Sequence, residues 1–366
     1  MSNNVTLHIF NPEHDIALAA HLARFTAPRA GRELRHDLGF LPALWAADGD
    51  LILVDDLATA TEGLRPLGSL AHGTLTDRRG LAQLLHRGLT PQVEPWGWDL
   101  AVRQQLADCG MPAHRLPTAE QIGQWRMVSH RAWAASRLLP RLREIEGTIG
   151  EAYAARSTDE LGGVLRHRGA TVLKAPWSSS GRGLRYLREV DGGGAPHLSD
   201  AVSHWAANII DRQQAVMVEP CYERTADLAM EFVSDGRGKV AYAGLSLFAT
   251  ERGAYTGNVL DDEAAKLDRV GRWIDPALTE AVRQRLIALT ATELGSTYAG
   301  PFGIDMMVVR TPAGMALHPC VELNLRRTMG HVALALTAAG QYHHAAMQIV
   351  YAGHYRLRIS QQECDR

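Results

Sequence analysis

The sequence has no long apolar run, no charge surplus and very little cysteine, and each absence removes a class of function. No segment offers the roughly 20 uninterrupted apolar residues that a membrane helix needs. Lys and Arg number 38 against 40 Asp and Glu, leaving a net charge of −2 at pH 7. A generic nucleic-acid binder needs a basic surplus for phosphate contacts, so no nucleic-acid partner is expected. The four cysteines, Cys109, Cys221, Cys320 and Cys364, are far apart and form no C-x-x-C pair. Reduced thiols in a cytoplasmic protein are the plain expectation. The opening "MSNNVTLHIFNPEHD" has no basic stretch followed by a long apolar one, so no secretion signal is expected. Also missing are a G-x-G-x-x-G after the first strand, a Walker A loop and the protein-kinase catalytic-loop signatures. There is no internal repeat and no low-complexity tract.

What is present is an ordinary globular composition, 46% hydrophobic and 21% charged over 366 residues. That length exceeds one typical core, so two or three packed units are expected. Residues 1–115 alternate strand and helix: "VTLHIF" and the apolar "LILVDD" read as strands of an α/β layer. In "NPEHDIALAAHLARF", Asn11 is placed to cap a helix, with Pro12 in its first turn. The Pro-rich "GMPAHRLPT" marks a boundary. Residues 116–220 begin with a helix over "AEQIGQWRMVSHRAWAASRLLPRL" and later carry strands at 170–187 and 215–220. Residues 221–366 turn strongly β, with "SDGRG" as a hairpin turn, and end in an apolar helix over "HVALALTAAGQYHHAAMQIVYAG".

The chemistry concentrates in two places. In "CVELNLRR", Glu322, Asn324 and Arg326 stand two apart and share one face of a strand. A buried sheet rarely gives one face to an acid, an amide and a guanidinium without a polar ligand to satisfy them. With Asp305 of "GPFGIDMMVV" on an adjacent antiparallel strand, two carboxylates and an amide oxygen form one surface. Such hard donors suit Mg2+ or Mn2+. The alternative is an Arg–Glu pair on a solvated sheet face. The second place is "ATVLKAPWSSSGRGLRYL". Lys174 ends a strand and is followed by the small-residue loop Ser178, Ser179, Ser180, Gly181, Arg182 and Gly183. Lysine suits phosphate, and small residues let backbone N–H groups approach it closely. Alone, such a loop is more often a hairpin turn than a phosphate cradle.

In this order the parts resemble the ATP-grasp superfamily over about residues 120–335. The resemblance implies an N-terminal α/β domain followed by a two-subdomain ATP-grasp fold, α/β and α+β in class. It implies ATP held between the two subdomains and an acyl phosphate made from a carboxylate, which an amine then attacks. Lys174 looks like the strand lysine that contacts ATP phosphate, and Arg131 stands where an earlier lysine is usual. Ser178 to Gly183 look like the phosphate lid, with Arg182 able to reach the γ-phosphate. Met217, Val218 and Glu219 look like the adenine hinge, and Asp227 takes the place of the ribose-binding acid, normally Glu. Asp305, Glu322 and Asn324 match the metal ligands, and Arg326 matches an arginine of amide-forming members.

The expected function is therefore an ATP- and Mg2+-dependent ligase joining a small-molecule carboxylate to an amine, amino acids and peptides included. The alternatives are a kinase of the same fold acting on a non-carboxylate acceptor, and a non-catalytic nucleotide-binding module. A homodimer is compatible with the apolar C-terminal helix. Three segments stay open. His14, Glu13 and Asp15 of "NPEHD" either line an acceptor pocket or only start a helix. "RGAYTGN", with Arg252, Tyr255 and Asn258, is either a substrate loop or a surface connection. His343 and His344 point in different directions on a helix and read as ordinary polar residues.

Overall fold

A computed structural model of the chain describes residues 5–178, 183–188, 196, 198–251, 254–338 and 340–361. Among the described residues the strands gather into three sheets. The first is parallel: β1 (Thr6–Ile9), β2 (Leu51–Leu53), β3 (Thr74–Thr76) and β4 (Gln92–Pro95), in the order β3-β2-β1-β4. Its central strands are apolar and buried, as parallel strands between helices require. Helices Leu57–Leu64, Arg78–His86 and Leu100–Asp108 start at Asp56, Asp77 and Asp99, whose carboxylates accept a first-turn backbone N–H.

The second sheet is antiparallel: β5 (Tyr153–Ala155), β6 (Thr171–Lys174), β7 (Leu184–Leu187) and β8 (Val216–Pro220), in the order β5-β8-β6-β7. Helices Thr158–Leu165 and Asp200–Gln213 cover one face, packing Leu161, Leu165 and Ala206 against Leu173, Val216 and Val218. The opposite face, with Val172, Lys174 and Glu219, lines a cleft.

The third sheet is also antiparallel: β9 (Glu223–Asp235), β10 (Val240–Glu251), β11 (Ala254–Leu260), β12 (Ala299–Thr311), β13 (Gly314–Asn324), β14 (Ala345–Tyr351) and β15 (Tyr355–Gln361). Their order is β13-β12-β9-β10-β11-β14-β15. The strand period of two sorts β9 and β12 cleanly. Leu228, Met230, Phe232, Phe302 and Ile304 face the helix Pro276–Glu293 and its Val282 and Leu286. Asp227, Ala229, Glu231 and Asp305 face the cleft. Phe232 and Phe302 stack at 5.2 Å in this core.

The first sheet docks on the far end of the third. Phe10, Leu38 and Trp96 share one buried cluster with Leu260, Val332, Leu336 and Met347. Each such side chain contributes roughly 1.5–3 kcal/mol on burial, so this contact fixes the N-terminal layer beside the cleft. Among the described residues no helix is long and apolar enough to cross a membrane.

Four sequence expectations are corrected. The C-terminal helix covers only Met329–Ala338, and the hairpin β14–β15 follows. Gly340 at φ +69° turns the chain, and Ala345, Ala346 and Met347 pair with β11 while the β-branched "QIVY" pairs with β15. The helix's Val332, Ala333 and Leu336 are buried within the chain, so that face is already occupied. The expected single helix over 119–142 is three: Ala119–Val128, Arg131–Arg137 and Leu139–Leu142. Leu138, Leu139 and Leu142 pack into the core of the third sheet, not the second. The "RGAYTGN" segment enters strand β11 rather than forming a loop, and Arg252 lies outside the described residues. Asn11 caps nothing, because the helix starts at His14 with Glu13 before it. The Asn11 side chain instead donates to the Gly97 carbonyl at 2.8 Å and to Asp99 at 3.1 Å.

Candidate active site

The hairpin β12–β13 sets Asp305 opposite Glu322 and Gly303 opposite Asn324. A bulge between Asp305 and Met307 interrupts the register there, as bulges often do beside sites. Asp305 is pushed up to about 7 by burial and then by the Glu322 charge, against a hydrogen bond from Asn324. Two carboxylates and an amide thus meet on one face with negative charge in surplus. Their donor chemistry fits a hard divalent cation.

Arg131, the first residue of its helix, reaches this face from the opposite side. Its buried guanidinium donates to Glu322 Oε2 at 2.5 Å, to the Ala175 carbonyl at 2.6 Å and to Ser178 Oγ at 2.9 Å. One side chain therefore ties the loop after β6 to the carboxylate strand. Lys174 ends β6, diagonal to Glu219 on β8, and its Nζ lies 2.5 Å from Glu219 Oε2. Both are nearly buried, at 11% and 4% side-chain exposure, so the pair is charge-assisted and shielded from screening. Gly183 closes on Ser178, where a Cβ would overlap Ser178 Oγ. Ser179, Ser180, Gly181 and Arg182 lie outside the described residues.

Asp227 on β9 lines the same cleft. It accepts from Arg224 and from Thr250 Oγ1, each at 2.7 Å, and burial raises its carboxyl. Val218 packs under the helices of the second sheet, and Met217 shares the face of Lys174 and Glu219 without lining the cleft. Both are fully buried, and β8 is ladder-paired on both sides, Met217 with Lys174 and Ala154, Val218 with Leu173 and Tyr153. Interior ladder groups are not free to read a ligand edge. Glu219, Pro220, Cys221 and Tyr222, where β8 runs past the end of β5, line the cleft instead.

Arg326 is held by the N-terminal layer. Its Nε and Nη2 donate to Asp15 Oδ1 at 3.0 Å and Oδ2 at 2.7 Å, a two-pronged pair. Burial alone would raise the Asp15 carboxyl, but the Arg326 guanidinium outweighs it and holds Asp15 below the usual range. The rest of "NPEHD" explains how Asp15 gets there. Asn11 and His14 are anchored to Gly97 and Asp99, His14 Nδ1 at 3.3 Å from Asp99. Glu13 and Asp15 then line the cleft. The segment is thus both a helix start and part of the site. His343 and His344 stand by Asp261, away from the cleft.

The cleft between the second and third sheets encloses about 1130 Å³, room for two small substrates together. No protein-family model matches the chain, and no curated protein matches it. Solved structures do share its architecture. The biotin carboxylase domain of Hydrogenobacter thermophilus 2-oxoglutarate carboxylase, in complex with MgADP, ADP and bicarbonate, is 12% identical with a TM-score of 0.53, covering 94% of this chain and 74% of that one. A protein of Archaeoglobus fulgidus described under the ATP-grasp superfamily is 12% identical with a TM-score of 0.48, covering 98% of this chain and all of that one. The chain has the ATP-grasp fold. N5-carboxyaminoimidazole synthetase of Staphylococcus aureus, complexed with ADP, is 10% identical with a TM-score of 0.47, covering 96% of this chain and 83% of that one. At such identities the likeness is one of fold.

One acid on the ATP-grasp cleft face escaped sequence reasoning. Glu231 on β9 is 1% exposed, and a Cβ on Gly303 or Gly330 would overlap its carboxyl. Its signal was its place four residues after Asp227, on the same face of a strand. Burial pushes Glu231 up to about 8. In the unfolded chain it ionises near the ordinary 4.5. The stability it lends is complete below that pH and is lost as pH rises toward 8. Glu231→Gln is therefore expected to melt close to the wild type at pH 5 and above it at pH 8. Thermal melts of the ligand-free protein at both pH values check this.

Proposed function

We propose that the chain is an ATP-dependent ligase that activates a small carboxylate as an acyl phosphate for attack by an amine. The observation that carries the reading is the meeting of opposite charges across the cleft. Asp305, Glu322 and Asn324 share one sheet face, and Arg131 and Lys174 converge from the other side. Mg2+ or Mn2+ held by Asp305, Glu322 and Asn324 would offset charge on the triphosphate oxygens.

The chain's own groups do the rest by position and charge, as phosphoryl transfer demands. Lys174 and Arg131 offset the negative charge that spreads over the γ-phosphoryl. Asp227 and the Glu219–Tyr222 stretch hold the nucleoside end. A carboxylate oxygen attacks the γ-phosphorus as its bond to the β-phosphate oxygen breaks, releasing ADP. The amine nitrogen then attacks the acyl carbon, loses a proton and expels phosphate that keeps one carboxylate oxygen. Arg326, fixed by Asp15, faces the acyl group.

ADP release across a panel of carboxylates and amines, with and without Mg2+, tests the reading. Release that requires the metal, a carboxylate and an amine together is expected. Release with a hydroxyl acceptor and no amine would replace the ligase by a kinase.

A further inference from the structure

The cleft extends beyond the part that faces Lys174 and Asp227. Where the first sheet docks, its walls turn apolar, with Phe10, Leu34, Leu38, Trp96, Ile349 and Tyr355. Phe10 and Trp96 meet edge to face at 4.9 Å, so this wall is a packed surface.

The floor of this compartment is polar and crosses three adjoining strands: Glu231 on β9, Ser246 on β10 and Asn258 on β11. Asn258 Nδ2 donates to Ser246 Oγ at 2.7 Å, and Tyr255 donates to Asn258 Oδ1. A Cβ at Gly330 would overlap Glu231 Oε1 and stand 2.8 Å from Ser246 Oγ. Both oxygens therefore pack against Gly330, whose missing Cβ leaves the Glu231 carboxyl room to sit there.

Glu231 Oε2 is buried and has no hydrogen-bond partner among the described residues. It lies 3.1 Å from His331 Nδ1, but that nitrogen already accepts the Thr328 backbone N–H. His331 Nε2 faces the Phe232 carbonyl at 3.3 Å, which assigns the ring proton to Nε2. The imidazole has no proton to give to Glu231. The other acids of the compartment are neutralised: Glu13 by Arg35 at 2.9 Å and Asp15 by Arg326. A buried carboxylate with its Oε2 unpaired attracts a donor, and an ammonium offers three. Buried polar atoms left unpaired are costly, so the lack is itself a sign of a ligand.

We infer that this compartment binds the acceptor as a primary amine with an apolar substituent, its nitrogen held by Glu231 and Ser246. This rests on the ligase reading and names the class of its second substrate. As the ammonium enters, Glu231 releases its proton to solvent, and it takes one from the ammonium before the neutral nitrogen attacks the acyl carbon.

Calorimetric titration of the full chain with isoamylamine, L-leucine and L-glutamate tests the inference, with Mg·ADP titrated separately. The two apolar amines are expected to bind, and L-glutamate to bind at least tenfold more weakly. Glu231→Gln should weaken the apolar amines on the order of 10- to 100-fold and leave Mg·ADP affinity within about twofold. If all three amines bind equally, or none binds while Mg·ADP does, the inference fails and the ligase reading stands. Equal losses of amine and Mg·ADP binding in the variant would also overturn it, by making Glu231 a structural residue. Ser246→Ala, a smaller change, should weaken the amines in the same direction, and its failure to do so counts against the site. A wild-type chain that binds no Mg·ADP overturns the ligase reading itself.

Discussion

Glu322→Gln is expected to lower Mg2+-dependent ADP release on the order of 10²- to 10³-fold, the cost of losing one preorganised charge at the reacting phosphate. The exchange keeps the shape of the side chain and removes its charge. Arg131 then loses its 2.5 Å partner but keeps the Ala175 carbonyl and Ser178. Asp305 loses the like charge that helps raise it, so the fold gains as well as loses. Melting within a few degrees of the wild type, together with collapsed turnover, is the expected pair of results. Steady-state ADP release and a thermal melt measure them, and full activity would remove Glu322 from the site.

Lys174→Met is expected to damage both stability and nucleotide use. Lys174 and Glu219 form a buried pair, and removing one partner strands the other charge, costing about 3–5 kcal/mol. The double variant Lys174→Met/Glu219→Gln removes both charges and should regain most of that stability, because such pairs are strongly non-additive. On the proposed mechanism it should not regain ADP release, since the cation at position 174 is gone. Denaturant midpoints for the two singles and the double separate these effects. A double variant as unstable as the single would show that the pair is not the cause.

Much of the site was legible because a strand repeats every two residues. Glu322, Asn324 and Arg326 announce one face whatever lies around them, and Asp305 needs only an adjacent strand. Lys174 was legible for its place at a strand end. The rest depends on contacts that a local pattern does not carry. Arg326 meets Asp15 across 311 residues, and no spacing rule connects them. Glu231 becomes special only because Gly303 and Gly330 leave it room, and each glycine read alone is a turn or a helix start. Of the expected hinge, Glu219 lines the cleft, and Met217 and Val218 do not. Met217 and Val218 sit where the ladder consumes their backbone, and Pro220 and Cys221 sit where it ends. In the fold, strands β1, β2, β6 and β8 followed from apolar runs and alternation. The final hairpin did not, since "HHAAMQIVYAG" suits a helix by composition and is drawn into strands by pairing with β11.

On the proposed mechanism a carboxylate becomes an acyl phosphate in this cleft. Oxygen tracing measures that most directly, using an active carboxylate labelled with ¹⁸O in both oxygens, an amine and Mg·ATP. One labelled oxygen is expected in each phosphate released, because the attacking carboxylate oxygen stays on phosphorus when the amine displaces it. Phosphate released without label, alongside amide product, would contradict the claim.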